Sequence, residues 1–328
     1  MKIAIVGAGN MARVRARALQ ARGGEICAVA SKHRERAQAL AGELGVEGGV
    51  DDYRDLLRFR PDAVLIEVPH QIQDEVAVWA LQSGLHTLIG GCLGTNASVA
   101  LQIGKLAQEN SLVVEAGYEA RYSNVWRRAK EHLRSGDIGE AVAIRTLALF
   151  PADPRSWYYD EQQSGGMILT HMTYTFVNPI RWIFGPPLQV SAFSNRKNQT
   201  GPGYVKHETC TANFLFGGDV LCNMTAGYVR PAALDAWNVS VLGTDGSLEF
   251  SPGDLTRGSL TLYARDGTVR TQKLGEDRAF EDQATAFLSS ITGAAACLNP
   301  PDDAYLDVRI AEVIAESAER AMTLPFAP

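Results

Sequence analysis

The chain has few cysteines, and their spacing does not resemble a disulfide framework or a zinc site. It contains five cysteines among 328 residues. They are widely spaced and lie mostly inside apolar runs, at Cys27, Cys92, Cys210, Cys222 and Cys297. An odd number at such intervals is typical of reduced core residues. We therefore expect neither disulfide stabilisation nor a bound metal.

Long apolar runs and blocks of basic charge are also missing. No run approaches the roughly 20 apolar residues that a membrane-spanning helix needs. The N-terminal residues have the pattern of a core strand and not that of a signal peptide. The formal net charge is -6 at pH 7, which disfavours an anionic partner. These absences predict a cytoplasmic protein that binds neither nucleic acid nor a membrane.

A glycine-rich turn follows the first apolar run, residues 2–6. The turn has the pattern G-x-G-x-x-A, with the sequence Gly7-Ala8-Gly9-Asn10-Met11-Ala12. In a dinucleotide fold the first glycine allows a tight turn, and the second lets the backbone approach a pyrophosphate. The small Ala12 lets the next helix pack closely on the strand. We therefore predict that Gly7 to Met11 bind a nucleotide cofactor, the alternative being a plain strand–turn–helix.

The end of the second predicted strand indicates which cofactor binds. The apolar run 26–30 ends in Ser31-Lys32-His33-Arg34, and no carboxylate occurs before Glu35. NAD sites usually place a carboxylate here for the ribose 2′-hydroxyl, whereas a 2′-phosphate calls for hydroxyl and cationic groups. Ser31, Lys32 and Arg34 therefore favour NADP(H), and NAD(H) is the alternative. A solvated first helical turn would explain the charges but not the missing acid.

The hydrophobic pattern predicts an α/β protein of two domains. Up to about residue 120, strand and helix patterns alternate, which indicates right-handed crossovers and a parallel sheet. Residues 1–120 are therefore predicted to form a Rossmann dinucleotide-binding domain. From residue 121 the strand-type runs are longer and are separated by hairpin turn signals. Residues 121–328 are predicted to form an α+β domain, with a mostly antiparallel open sheet, for substrate binding and oligomerisation.

Several motifs, in this order and spacing, resemble the Gfo/Idh/MocA family, the relatives of glucose-fructose oxidoreductase and inositol dehydrogenase. They are residues 7–12, Pro69 with Gly84-Leu85-His86, and residues 117–121, 135–140, 164–166, 181–185 and 242–246. The resemblance covers nearly the whole chain. It implies a nicotinamide-dependent reaction on a small sugar, cyclitol or similar polar substrate. It also implies that a second subunit covers the open sheet, giving a homodimer or homotetramer.

The chain departs from that family at the residues that usually handle the proton. The family's Glu-Lys-Pro falls on Gly90, Gly91 and Cys92, so the lysine is missing. The family's Asp-x-x-x-His falls on His171 and Thr175, so the usual histidine is missing as well. A further family aspartate falls on Asn178. Because hydride transfer at a carbonyl needs an acid or base within hydrogen-bond reach, another group must supply it.

His171 and Tyr174 are the candidate replacements. An imidazole titrates near neutrality, which suits acid/base catalysis, and a phenol can donate a proton. Both residues follow the Gly165-Gly166 turn. The alternatives are a histidine whose hydrogen bonds are satisfied within helix packing and an aromatic core residue.

Further residues are predicted from their positions in the resemblance. Arg121, Trp157, Tyr158 and Tyr159 fall where relatives shape the substrate pocket, although the three rings also suit a packed aromatic corner. Lys206 and His207 either reach that pocket or lie in a solvated loop. The cofactor contacts are predicted at the ends of two parallel strands, at Pro69, His70, Gln73, Gly90 and Gly91.

Three function classes stay open at this stage. The first is an NADP(H)-dependent oxidoreductase with a rearranged acid/base set, acting on a sugar-like, cyclitol or amino-acid-derived carbonyl or imine. The second is a nucleotide-binding enzyme without net redox chemistry, such as an elimination or isomerisation. The third is a non-enzymatic, cofactor-binding sensor or regulator.

Overall fold

A computed structural model describes residues 1–150, 156–197, 203–228, 237–252 and 258–327. The chain forms two compact units, which are described separately. The first comprises residues 1–118 and 280–305, and the second comprises residues 119–279 and 306–328. The sequence-based division placed everything after residue 120 in one domain, so the structure differs by returning residues 280–305 to the first unit. The physical reason is burial, because Ala284 and Phe287 pack into the apolar core of that unit.

The first unit contains a six-stranded parallel sheet of order β3-β2-β1-β4-β5-β6. The strands are β1 Lys2–Val6, β2 Glu25–Ala30, β3 Gly49–Val50, β4 Ala63–Ile66, β5 His86–Ile89 and β6 Val114–Ala116. The crossover helices are α1 Asn10–Ala21, α2 Arg34–Glu43, α3 His70–Gln82 and α4 Ala97–Glu109. Strands β1 and β4 are neighbours where the strand order reverses, the place where such sheets bind their ligands. The predicted Rossmann domain is confirmed.

The second unit contains a nine-stranded sheet of order β14-β13-β12-β11-β7-β10-β9-β8-β15. The strands are β7 Ala141–Leu149, β8 Gln189–Asn195, β9 Thr209–Leu215, β10 Leu221–Gly227, β11 Trp237–Gly243, β12 Gly246–Phe250, β13 Ser259–Ala264, β14 Val269–Lys273 and β15 Leu324–Pro325. The pair β7 and β10 is parallel and the other pairs are antiparallel. The predicted mostly antiparallel sheet is confirmed.

Five further α-helices follow in the part of the chain that the structure describes. They are α5 Asn124–Ser135, α6 Glu161–Ser164, α7 Asn178–Phe184, α8 Ala279–Ile291 and α9 Pro301–Arg320, of which α6 and α7 are short. Among the described residues, no helix is both long and apolar enough to cross a membrane.

Buried and exposed side chains alternate along the strands of the nine-stranded sheet, so one face of the sheet is buried. Along β7 the side chains of Ile144, Thr146 and Ala148 are buried, whereas Arg145 between them is exposed. The buried face lies against the helix Ile168–Val177, which contacts β7 and β10. The opposite face carries exposed apolar side chains, including Phe193 and Leu221.

The helix Ile168–Val177 is a π-helix in place of the ordinary α-helix. Its wider turn is visible where Met172 N–H donates to Met167 O at 3.2 Å, five residues back. Thr173 Oγ1 also donates to Ile168 O at 2.8 Å. Turns of this kind are rare and are found frequently at functional sites. This helix carries both His171 and Tyr174.

Candidate functional site

The glycine-rich turn has the geometry of a phosphate-binding loop. Gly7 has a φ of +115°, and a side chain there would collide with Glu67 O at 2.0 Å. At Gly9, no described atom lies within 4 Å of where a Cβ would sit, and α1 begins at the next residue, Asn10. The free N–H groups of α1 are therefore available to an anion, and the loop fits a dinucleotide pyrophosphate.

The turn between β2 and α2 holds the residues predicted to select the cofactor. Ser31 is half-buried, and Lys32 and Arg34 are exposed on the same short turn. Ser31 Oγ accepts a hydrogen bond from His33 N–H at 3.3 Å. The structure thus places one hydroxyl and two cations together at the end of β2, where a carboxylate would select NAD.

A buried ion pair occupies the ends of β4 and β5. Arg15, on α1, places its Nε 2.7 Å from Glu67 Oε1. A Cβ at Gly90 would lie 2.3 Å from the Glu67 carboxyl carbon. The Glu67 carboxylate therefore fills the space that a side chain at position 90 would take. In effect, the acid that the resemblance expects on β5 is supplied from β4.

The Arg15–Glu67 pair was missed by the sequence-based prediction. A signal did exist, because Glu67 interrupts the apolar run 63–68. Arg15 also donates to Gly117 O at 2.6 Å and hydrogen bonds to Gln283 Oε1. These partners are distant in sequence, so the pairing itself could not be inferred from spacing.

The other residues predicted at this edge are also brought together. His70 begins α3 directly after Pro69, and it is buried. The Cys92 sulfur lies 3.5 Å from His70 Nδ1, and Gln73 Nε2 donates to Cys92 O at 2.8 Å. Gly91, where the family lysine is expected, has a φ of +75°. A lysine there would be strained, so the local backbone conformation explains why this position carries no lysine.

The second unit gathers aromatic rings around His171. The ring centroids of Phe150 and Tyr158 lie 4.2 and 4.6 Å from that of the imidazole, and that of Tyr174 lies 6.4 Å away. Trp157 stacks on Tyr158 at 4.0 Å. We call these five residues, together with Tyr228, the aromatic cluster. Four residues predicted from sequence, His171, Tyr174, Trp157 and Tyr158, therefore lie together.

Tyr228 is the member of the cluster that the sequence-based prediction missed. It is buried and its hydroxyl lies 2.8 Å from His171 Nδ1. Burial raises the pKa of the Tyr228 phenol far above its usual range, so the phenol stays protonated. Its position at the end of a predicted strand, 57 residues from His171, offered no sequence signal for this contact.

Arg121 lies in a buried network of charged groups and not on an exposed surface. Its Nε donates to Asn178 Oδ1 at 3.1 Å, and its Nη2 lies 3.7 Å from Asp307 Oδ2. Asp307 also accepts from Arg181 Nε at 2.6 Å. These contacts give Arg121 a structural role in the core of the second unit.

Lys206 and His207 lie in the loop that precedes β9 and contact α9 and β8. Lys206 is exposed, and its Nζ lies 3.6 Å from Glu319 Oε1 on α9. Ser194 Oγ lies 2.6 Å from His207 Nδ1, and burial lowers the pKa of His207. For Lys206 the geometry favours the solvated-loop interpretation.

We predict that the Glu67 carboxylate and the lack of a side chain at Gly90 depend on one another. Glu67→Ala leaves Arg15 buried without its carboxylate and should lower the free energy of unfolding by about 3–5 kcal/mol. Gly90→Ala overpacks the same space and should lower it by about 1–3 kcal/mol. Combining Glu67→Ala with Gly90→Glu returns a carboxylate to that space and should recover much of the loss. Urea unfolding measures each value.

Gly42→Ala is the matched control, because no described atom lies within 4 Å of its Cβ position in α2. It should be neutral or slightly stabilising, since alanine suits a helix better than glycine. If the double variant is no more stable than Glu67→Ala alone, the two positions do not share this role.

Comparisons with known proteins give the family. Residues 1–118 match the model of the oxidoreductase family with an NAD-binding Rossmann fold, and residues 126–249 match the GFO/IDH/MocA C-terminal domain. The chain is 24% identical over 309 residues to D-xylose 1-dehydrogenase (NADP(+)) 2 of Haloferax volcanii, covering 92% of each chain. It is 24% identical to inositol 2-dehydrogenase of Leifsonia xyli, covering 100% of this chain and 96% of that one.

Solved structures share the fold along the whole chain. Levoglucosan dehydrogenase in complex with NADH and levoglucosan has a TM-score of 0.90 at 18% identity, covering 100% of both chains. Aldose-aldose oxidoreductase from Caulobacter crescentus, in complex with glycerol, has a TM-score of 0.89 at 18% identity, covering 99% of both. Together with the two domain models, these likenesses show that the chain belongs to the Gfo/Idh/MocA family of NAD(P)-dependent oxidoreductases.

Proposed function

We propose that the protein is an NADP(H)-dependent oxidoreductase of a sugar-like, cyclitol or amino-acid-derived substrate, with His171 as its acid/base group. The observation that carries this proposal is the position of His171 in the aromatic cluster. Its imidazole lies against the buried ring of Phe150 and the half-buried ring of Tyr158, and it hydrogen bonds to a buried phenol at 2.8 Å. A titratable group in such a setting suits proton transfer.

The relatives support the substrate class and leave the nicotinamide choice open. One relative is a D-xylose 1-dehydrogenase (NADP(+)) and another is an inositol 2-dehydrogenase, so small polyhydroxylated substrates are favoured. The levoglucosan dehydrogenase structure contains NADH, which keeps NAD(H) as the alternative. The preference for NADP(H) rests on Ser31, Lys32 and Arg34.

The roles of the residues follow from their chemistry. A nicotinamide cofactor, when bound, would supply the hydride chemistry. The backbone of the Gly7–Met11 turn would bind its pyrophosphate, and Lys32 and Arg34 would bind the 2′-phosphate. When a hydroxyl is oxidised, its carbon loses the hydride and its oxygen loses the proton to His171. In the reverse direction His171 returns that proton to the carbonyl oxygen.

The absence of the family lysine favours an imine substrate in particular. An imine that arrives protonated already carries the proton that a carbonyl must receive during reduction. The enzyme then depends less on a strong acid near the reacting atom. The aromatic cluster supplies apolar faces, and sites for small molecules combine such faces with a few placed polar groups.

We also propose that the exposed face of the nine-stranded sheet associates with a second copy of the chain. Phe193, Leu221 and Val269 are 65%, 58% and 59% exposed. Apolar side chains that are this exposed on one face of a sheet mark interaction surfaces. A two-fold arrangement, giving a homodimer or homotetramer, is the commonest way to cover them.

Cofactor preference is the first prediction of this proposal. NADPH should bind more tightly than NADH, and Ser31→Asp should reduce that preference, since a carboxylate repels a 2′-phosphate. Lys32→Ala should weaken the binding of NADPH but not that of NADH. Lys105→Ala, which removes an exposed lysine from α4, should change neither. Fluorescence titration of both cofactors measures these affinities, and equal or tighter binding of NADH would refute the assignment.

Loss of the imidazole tests the acid/base role. His171→Ala should lower turnover by about 10²- to 10⁴-fold, the usual contribution of a general acid or base. The affinity for NADPH should stay nearly unchanged, because His171 is not among the residues proposed to bind the cofactor. Steady-state kinetics with a panel of sugars, cyclitols and imines, followed by nicotinamide absorbance, gives the rates. An unaltered rate would move the role to Tyr174, which Tyr174→Phe examines.

Assembly is tested by light scattering. The wild-type chain should exceed the 35.5 kDa of one subunit, and Phe193→Asp with Leu221→Asp should shift it towards that mass. Leu101→Asp, at a residue that is 55% exposed on α4, is the matched control and should not. A wild-type monomer at micromolar concentration would contradict this assembly.

A further inference from the structure

A chain of hydrogen bonds leads from His171 to a backbone carbonyl. His171 Nδ1 lies 2.8 Å from the Tyr228 hydroxyl, and that hydroxyl lies 3.1 Å from Thr170 Oγ1. Thr170 Oγ1 in turn lies 3.0 Å from Gly166 O and 3.3 Å from Met167 O. Thr170, Tyr228 and Gly166 thus form a fixed polar support for one edge of the imidazole.

The direction of the chain follows from the proton count. A carbonyl oxygen only accepts, so the single proton of the Thr170 hydroxyl points to Gly166 O or Met167 O. Thr170 Oγ1 must then accept from Tyr228, whose one proton is used in that bond. The Tyr228 oxygen is left to accept from His171 Nδ1–H. The direct contact between Thr170 Oγ1 and His171 Nδ1 is longer, at 3.5 Å, so the route through the phenol dominates.

We propose that Thr170 and Tyr228 are positioning residues that hold the neutral His171 in its Nδ1–H tautomer. The lone pair then resides on Nε2, and Nε2 is the atom that accepts or returns the substrate proton. The catalytic meaning of this inference rests on the proposed acid/base role of His171. The tautomer itself is a property of the free protein.

The residues around Tyr228 fix its backbone and keep its hydroxyl protonated. Tyr228 is buried, and its N–H donates to Glu208 O at 2.9 Å, which fixes the backbone at that point. Because burial keeps the phenol protonated, it carries its one proton throughout the range in which an imidazole titrates. The same tyrosine oxygen also accepts from the imidazolium form. Proton transfer at Nε2 therefore needs no rearrangement on the Nδ1 side.

Nuclear magnetic resonance measures the tautomer without any substrate. The chain contains six histidines, and ¹⁵N labelling of histidine followed by long-range ¹H–¹⁵N correlation distinguishes protonated from unprotonated ring nitrogens. The spectra are recorded at about pH 8.5, two units above the ordinary pKa of histidine. The His171→Gln spectrum identifies the His171 signals. We expect a protonated Nδ1 and an unprotonated Nε2, and the opposite pattern would overturn the proposal.

Thr170→Val tests the direction of the chain with nearly the same side-chain volume. Without Thr170 Oγ1, the buried Tyr228 hydroxyl loses the acceptor that this chain assigns to its proton. The phenol should turn to donate to Nδ1, which inverts His171 to the Nε2–H tautomer. Tyr204→Phe removes a hydroxyl from a ring outside the aromatic cluster, whose centroid is 6.0 Å from that of Tyr159. It should leave the tautomer unchanged.

The outcomes separate this inference from the proposed function. An unchanged tautomer in Thr170→Val overturns the chain even if His171→Ala abolishes turnover. An unaltered rate in His171→Ala overturns the catalytic role even if His171 is found as Nδ1–H. With both roles intact, Thr170→Val should also lower turnover at least tenfold, because Nε2 then carries a proton when it must accept one.

Discussion

The ion pair between Arg15 and Glu67 is the interaction on which the ligand-binding edge of the first unit depends. One guanidinium joins α1 to the end of β4, to Gly117 O just after β6 and to Gln283 on α8. It also lies over the Phe280 ring at 4.9 Å. Two buried charges are stable only when geometry and further hydrogen bonds offset their lost hydration. Removing Arg15 therefore disturbs all of these contacts together.

This ion pair explains how the chain departs from its family at Gly90 and Gly91. The carboxylate comes from β4, so position 90 has no room for a side chain, as the 2.3 Å approach of a Cβ to Glu67 shows. Gly91 adopts a positive φ, a conformation that disfavours lysine. The departures are thus coupled through packing and backbone shape, and they are not independent losses.

The second unit also contains buried charged groups that pair with one another. Its buried cations, Arg121 and Arg181, share Asp307. Asn178 accepts from Arg121 and donates to Asp307, which anchors the start of α7 to α9. The π-helix Ile168–Val177 ends where α7 begins. Holding that junction sets the orientation of the helix that carries His171. The aromatic cluster then surrounds the imidazole, and Tyr228 completes it from the end of β10.

The sequence alone determined those features that depend on neighbouring residues. The G-x-G-x-x-A turn, the alternation of strands and helices and the order of family motifs are local patterns, so the Rossmann domain, the antiparallel sheet and the family were predicted correctly. The position of His171 after the Gly165-Gly166 turn was likewise readable. Its role, and the choice of NADP(H), stay predictions.

Only the tertiary structure decided which distant residues meet. Nothing in the spacing of Arg15 and Glu67 indicates an ion pair, and Tyr228 lies 57 residues from His171. Helix α8 follows strands β7 to β14 of the second sheet in sequence, yet Phe287 packs into the first core. The π-helical turn of residues 168–177 also escaped prediction. In each case burial and partner geometry, which a linear pattern does not contain, selected the arrangement.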